Sequence, residues 1–179
     1  MSQLSIYDAV SYQLVQHTDD AQQITELLAQ VGIRFRRWPL VEGLAADSSA
    51  EQILTAYAAD IATLQREEGY VTADVVSLSA THPDKAAFRQ KFLAEHTHSE
   101  DEVRFFVRGQ GLFCLHLGDF VYQVLCCQQD LINVPAGTAH WFDMGCEPEF
   151  TAIRLFNNPA GWVAEYTGSD IANKLPLLA

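Results

Sequence analysis

His96 and His98 are separated by one residue, and Glu102 follows four positions later, in the stretch AEHTHSEDEVRFFVRGQG (94–111). On an extended chain alternate side chains leave the same face, so the two imidazoles project together. Glu102 opens the apolar run that follows and can aim with them. A fourth group comes from PAGTAHWF (135–142), where a Pro-x-Gly turn sets His140 at the start of a strand. Three neutral imidazoles and one carboxylate suit a borderline first-row ion such as iron(II), nickel(II), manganese(II) or zinc(II). No thiolate belongs to the set, which argues against a structural zinc site. Four protein ligands on an octahedral ion leave two positions for substrate or oxygen.

Arg104 lies two residues beyond Glu102, so strand alternation turns it to the same side. A guanidinium there is costly unless it meets an anion, either a structural carboxylate or a charged substrate. Phe106 shares parity with Glu102, Phe142 shares parity with His140, and Trp162 follows a Pro-Ala-Gly turn. These aromatics are either barrel packing or the wall of an apolar pocket, with Phe92 and Arg154 as further candidates for that wall. His17 and His82, expected at helix starts, and His116, near Asp119, are not assigned to the metal.

The elements that must position these groups fall into two stretches. From about Glu102, EVRFFVRG, LFCLHLGD, FVYQVLC, DLINVPAG, HWFDMG and FTAIRLF follow one another, separated by Gly, Asp and Asn. That rhythm predicts an antiparallel sandwich or barrel. The preceding ninety-odd residues read as mixed helix and strand. Thr18 is the expected N-cap of a helix stopped by Gly32, and residues 33–38 read as a strand. Ser48 and Glu51 stand at capping-box spacing before one helix running to Gly69. Residues 73–79 read as a strand, and a short helix is expected with Pro83 near its start. The helical part is expected to pack on the β part as one domain, 1–179.

Composition narrows the partners. Apolar residues make up 49% of the 179 residues, charged residues 19%, and the formal charge is −12. That balance disfavours nucleic acid and anionic lipid, both of which need a basic footprint. No apolar run approaches the ~20 residues of a bilayer span, and the amino terminus lacks a signal-peptide pattern. Cys114, Cys126, Cys127 and Cys146 form no CxxC pair and are expected to be buried thiols in a reducing cytoplasm. Nothing requires an oligomer, so a monomer is expected.

The two motif segments resemble the cupin superfamily. HTHSEDEVRFFVRG reads HxH-x3-E-x6-G at His96, His98, Glu102 and Gly109, and PAGTAH reads PxGxxH at Pro135, Gly137 and His140. The glycines that usually open each motif are Gln90 and Gln129, and the usual closing Asn is Met144; all three lie outside the ligand set. FLAEHTHSEDEVRFFVRGQGLFCLHLGD, VPAGTAHWFDMG and FTAIRLFNNPAGWVAEYTG, with GIRFRRW and EEGY upstream, are similar to the acireductone dioxygenases of bacterial methionine salvage. The resemblance covers nearly the whole chain. It implies a mainly β fold, a cupin barrel of about 94–166 with a helix-rich part, 1–93, packed on it. It also implies one Fe(II) or Ni(II) per chain, held by His96, His98, Glu102 and His140. The substrates would be acireductone and O2. The iron form would yield formate and 4-methylthio-2-oxobutanoate, the nickel form methylthiopropionate, formate and carbon monoxide. By the same resemblance Arg104 assists formation of the substrate dianion, Glu95 assists metal incorporation and Asp101 relays conformational change. In physical terms, the last two would orient imidazoles by hydrogen bonding. Phe92, Phe106, Phe142, Arg154 and Trp162 would surround a thioether tail. A cupin that binds metal as a sensor or store, or another cupin dioxygenase or isomerase, is the alternative.

Overall fold

The computed structural model describes residues 1–179, apart from the side chains at 161 and 162. In chain order the elements are β1 (Gln3–Asp8), β2 (Leu14–Thr18), α1 (Ala21–Gln30), β3 (Arg34–Arg37), α2 (Ala50–Ala56), α3 (Ala58–Glu68), β4 (Thr72–Leu78) and α4 (Lys85–Leu93). Then come β5 (His96–Thr97), β6 (Glu102–Leu117), β7 (Phe120–Cys127), β8 (Asp130–Val134), β9 (Ala139–Asp143), β10 (Phe150–Phe156) and β11 (Glu165–Tyr166). Short 3-10 turns, Pro159–Trp162 and Ile171–Lys174, stand before and after β11. All the strand pairs are antiparallel. No helix among the described residues is long and apolar enough to cross a membrane.

β6 is 16 residues long and serves both faces of the barrel. Its first half runs between β10 and β8, in the order β4-β10-β6-β8-β3. Its second half runs between β7 and β9, in the order β2-β1-β7-β6-β9-β5-β11. The change of sheet falls at Gly109, whose φ is +70° and where a Cβ would overlap the carbonyl oxygen of Glu149. Only glycine tolerates both demands. Beside it the register slips: Phe106 faces Ala152 but Arg108 faces Thr151, leaving Val107 as the extra residue of a bulge. A bulge exchanges the faces of a strand. Phe106 therefore points into the barrel before it, whereas Phe113 and Leu115 do so after it.

The outward residues Val103, Phe105 and Val107 are covered by Ile53, Tyr57, Ile61 and Leu64 of the α2–α3 region. On the other sheet Leu112, Cys114 and Trp141 are covered by Ile171, Ala172 and Leu175 of the C-terminal segment. Ile24 and Leu28 of α1 close one part of the interior. Residues 1–93 thus bring four helices where three were expected, and four strands where two were expected.

Several local expectations shift. Thr18 ends β2 and Asp20 caps α1, its Oδ1 accepting from Gln23 N at 2.8 Å. Thr18 Oγ1 is engaged instead with Gln23 Oε1 and Asp20 N. The capping box is Ser49–Gln52, because Ser48 donates to the Ala45 carbonyl and closes the preceding turn. The single helix to Gly69 is broken at Tyr57, which packs edge-on against Phe105 while its hydroxyl accepts from Val41 N. His17 lies on β2 against Ser5 rather than at a helix start. All four cysteines are free, but only Cys114 and Cys126 are buried; Cys127 is half-buried and Cys146 is exposed, with Arg89 Nη1 on its sulfur at 2.8 Å. Gln129 has φ +79°, so it occupies in left-handed form the place usual for glycine in the motif.

Candidate metal centre

Pairing of β5 with β9 sets His96 opposite His140, and β9 with β6 sets His140 opposite Leu115. His98 follows on the loop into β6. The ring centroids lie 4.4 Å (His96–His140), 5.0 Å (His96–His98) and 5.1 Å (His98–His140) apart. One ligand nitrogen from each ring falls within 4.8 Å of the others. Every Nδ1 faces a main-chain carbonyl: Ala94 O at 2.8 Å for His96, Val163 O at 3.2 Å for His98 and Thr138 O at 2.8 Å for His140. A carbonyl can only accept, so each Nδ1 carries the proton and each Nε2 keeps its lone pair.

Glu102 lies beneath these rings with 1% of its side chain exposed. Its Oε1 accepts from Arg104 Nη2 at 2.6 Å and Nε at 3.2 Å. Its Oε2 lies 3.2 Å from His98 Nε2 and 3.9 Å from His140 Nε2, but has no aligned hydrogen bond. A buried carboxylate oxygen left without a donor is costly, and here it faces nitrogen lone pairs. A cation between them removes that cost, so the donor set fits a metal ion. Protonation agrees. Burial alone would raise the Glu102 pKa, but the Arg104 guanidinium beside it holds it well below the usual range. Burial pushes His140 down to about 4 against the opposing charge of Glu102, and burial lowers His96 as well. At neutral pH these three groups are in the forms that a metal requires.

Arg104 sits over the Phe113 and Phe142 rings, its Cζ 4.9 and 5.1 Å from their centroids. It lines a cavity with the three histidines, Phe92, Phe113, Phe142 and Arg154, and with Lys91, Ala164 and Tyr166 at other parts of the wall. Arg154, opposite Arg104 on β10, makes a two-pronged ion pair with Asp74 on β4 at 2.9 and 2.6 Å. Of the expected wall, Phe92, Phe142 and Arg154 therefore reach the cavity. Phe106 is fully buried one layer behind, 6.3 Å from the Phe142 ring. The Trp162 side chain lies outside the described residues. Phe113 escapes a reading by strict alternation because the Val107 bulge reverses parity; Lys91 is adjacent to Phe92, and Tyr166 is carried beside His96 by β11.

Glu95 and Asp101 do not touch the imidazoles, whose orientation comes from main-chain carbonyls instead. Glu95 is buried and accepts from Thr167 Oγ1 at 2.7 Å, with His116 Nδ1 at 2.9 Å on its other oxygen. It ties β5 to β6 and to the segment after β11. Asp101 Oδ1 accepts from Ala136 N at 2.7 Å, and Gly137 N donates to the His98 carbonyl at 2.9 Å. Those two bonds stitch the HxH loop to the turn that presents His140.

The model of the ARD/ARD' family matches residues 3–164. An acireductone dioxygenase of Synechococcus sp. is 62% identical, covering 99% of both chains. The acireductone dioxygenase of Pseudomonas paraeruginosa is 55% identical over the same shares. Among solved structures, acireductone dioxygenase from Bacillus anthracis with a cadmium ion in its active centre aligns with a TM-score of 0.77 and 30% identity. That alignment covers 93% of this chain and 98% of the other. The barrel is accordingly a cupin, and the chain belongs to the ARD/ARD' family of acireductone dioxygenases.

Proposed function

We propose that this protein is a metal-dependent acireductone dioxygenase that binds one Fe(II) or Ni(II) through Nε2 of His96, His98 and His140 and through Glu102 Oε2. The observation that carries the reading is Glu102 Oε2, buried, ionised and without a donor, facing three imidazoles whose other nitrogens are already engaged. A divalent ion held there would act as Lewis acid and template for an enediolate and oxygen. The protein supplies the rest. Two Arg104 nitrogens hold Glu102, while its Nη1 makes no hydrogen bond among the described residues. That N–H is available to the substrate oxygen on which negative charge grows, favouring the doubly ionised form. The rings of Phe92, Phe113 and Phe142 exclude water from one side and accept the methylthio tail.

The test is oxygen uptake and product analysis with enzymatically generated acireductone, on metal-free protein reloaded separately with iron(II) and nickel(II). We expect turnover to require metal. Iron should give formate and 4-methylthio-2-oxobutanoate, and nickel should give methylthiopropionate, formate and carbon monoxide. Stoichiometric metal binding without oxygen uptake would overturn the enzyme reading and leave a metal-binding cupin.

A further inference from the structure

Three cations line the cavity, and two are committed. Arg104 is held by Glu102 at 2.6 Å, and Arg154 is held by Asp74 at 2.6 Å. Each such pair is neutral. Lys91 is different. The chain has three lysines; Lys85 bridges Glu147 at 2.9 Å and Lys174 bridges Asp170 at 3.2 Å. Lys91 forms neither an ion pair nor a hydrogen bond among the described residues. It is exposed, in the last turn of α4, one residue from Phe92 and on the wall of the cavity. It therefore supplies the one uncompensated protein cation on the described lining, in a molecule of formal charge −12. A strongly acidic protein repels an anionic substrate at long range, so a free ammonium at the cavity has a large relative effect on encounter. The bland role for Lys91 is to complement the dipole at the helix C-terminus, which would show in stability alone.

We propose that Lys91 is the docking cation for the substrate: its ammonium draws the enediolate to the cavity and holds part of its charge there, governing KM rather than the chemical step. This rests on the acireductone reading. Arg104 acts where charge grows during reaction, whereas Lys91 acts on the charge that the substrate already carries in solution.

The experiment compares wild type, Lys91→Gln and Lys91→Arg, all loaded with iron(II), in steady-state assays from low to near-physiological salt. Anaerobic acireductone binding is measured alongside, so that affinity is read without turnover. Lys91→Gln should lower kcat/KM about tenfold at low salt through KM, leave kcat within about twofold, and flatten the salt dependence. Lys91→Arg should restore most of the loss, and the anaerobic Kd should follow KM. Unchanged kcat/KM and salt slope in Lys91→Gln would overturn the proposal, as would a loss explained by lower metal content or Tm. Absence of acireductone oxidation by wild type would instead defeat the reading on which it rests.

Discussion

Under the proposed function Arg104 answers to two anions, Glu102 and the substrate. Its Nε and Nη2 are spent on Glu102 Oε1, and its guanidinium is fixed over Phe113 and Phe142. It lines the cavity and its Nη1 makes no hydrogen bond among the described residues, so the proposed function assigns that donor to the substrate. The two duties predict different failures of Arg104→Ala. If charge development on the substrate is its main duty, the variant should bind one metal ion per chain and lose about 10²–10³-fold in kcat. Metal analysis and oxygen uptake on the same preparation separate this from a purely structural duty, in which metal content falls along with turnover. The four proposed ligands were legible in the sequence because their spacing is local: two histidines on one extended segment, a carboxylate at the strand start, a histidine after a Pro-x-Gly turn. The acceptors that fix the imidazoles were not. Main-chain carbonyls carry no residue signature, so Glu95 and Asp101 attracted a role that Ala94, Thr138 and Val163 perform through their backbones.

At the level of strands, the cavity wall depends on a close approach between β6 and β9. A Cβ at Gly111 would overlap the Phe142 ring, although the Gly111 backbone itself is open to any residue. Gly111→Ala should therefore act through packing: the ring must move, toward the cavity or against Phe150, which lies 5.3 Å away. We expect a loss of about 1–3 kcal/mol in stability and a raised KM for acireductone. Adding Phe142→Leu should recover part of the stability, and thermal unfolding of both singles and the double variant gives the coupling. Tm unchanged in Gly111→Ala would show that the strands yield without cost. The same region shows why the second half of the wall was illegible. Alternation from Glu102 correctly groups Arg104 and Phe106, but the Val107 bulge then reverses the faces and brings in Phe113. A bulge is decided by the partner strand β10 and leaves no reliable mark in its own sequence. β2 was missed for a related reason: Leu14 and Val15 are both exposed, so the hairpin edge lacks the alternation of a half-buried strand, whereas β1 does alternate, with Leu4 and Ile6 buried on one face.

Across the whole molecule, the buried centre makes the metal-free protein sensitive to acid. His140 has a folded pKa of about 4 against an ordinary value of 6.5. Between those values the unfolded chain binds a proton at this position and the native chain does not. Stability therefore rises with pH through the window, is fully present above about 6.5, and is lost as pH falls toward 4. A shift of this size corresponds to a loss of up to about 3 kcal/mol, a large share of the ~5–15 kcal/mol that holds a typical domain together. His96, also lowered by burial, adds in the same direction. Glu102 contributes later. Its folded pKa lies well below 4.5, so its stabilisation persists through the histidine window and fails only at more acidic pH. The metal-free protein should consequently show a steady fall in Tm from pH 6.5 to pH 4.5, and His140→Gln should remove most of that slope. Bound metal stabilises the native form by mass action and keeps protons from the nitrogens, so the loaded protein should hold its Tm to lower pH until the ion is released. Thermal unfolding of both forms across this range is the measurement. A metal-free Tm that stays flat from pH 7 to pH 5 would mean that water reaches the imidazoles freely, contrary to the burial of His140 and the partial burial of His96 and His98.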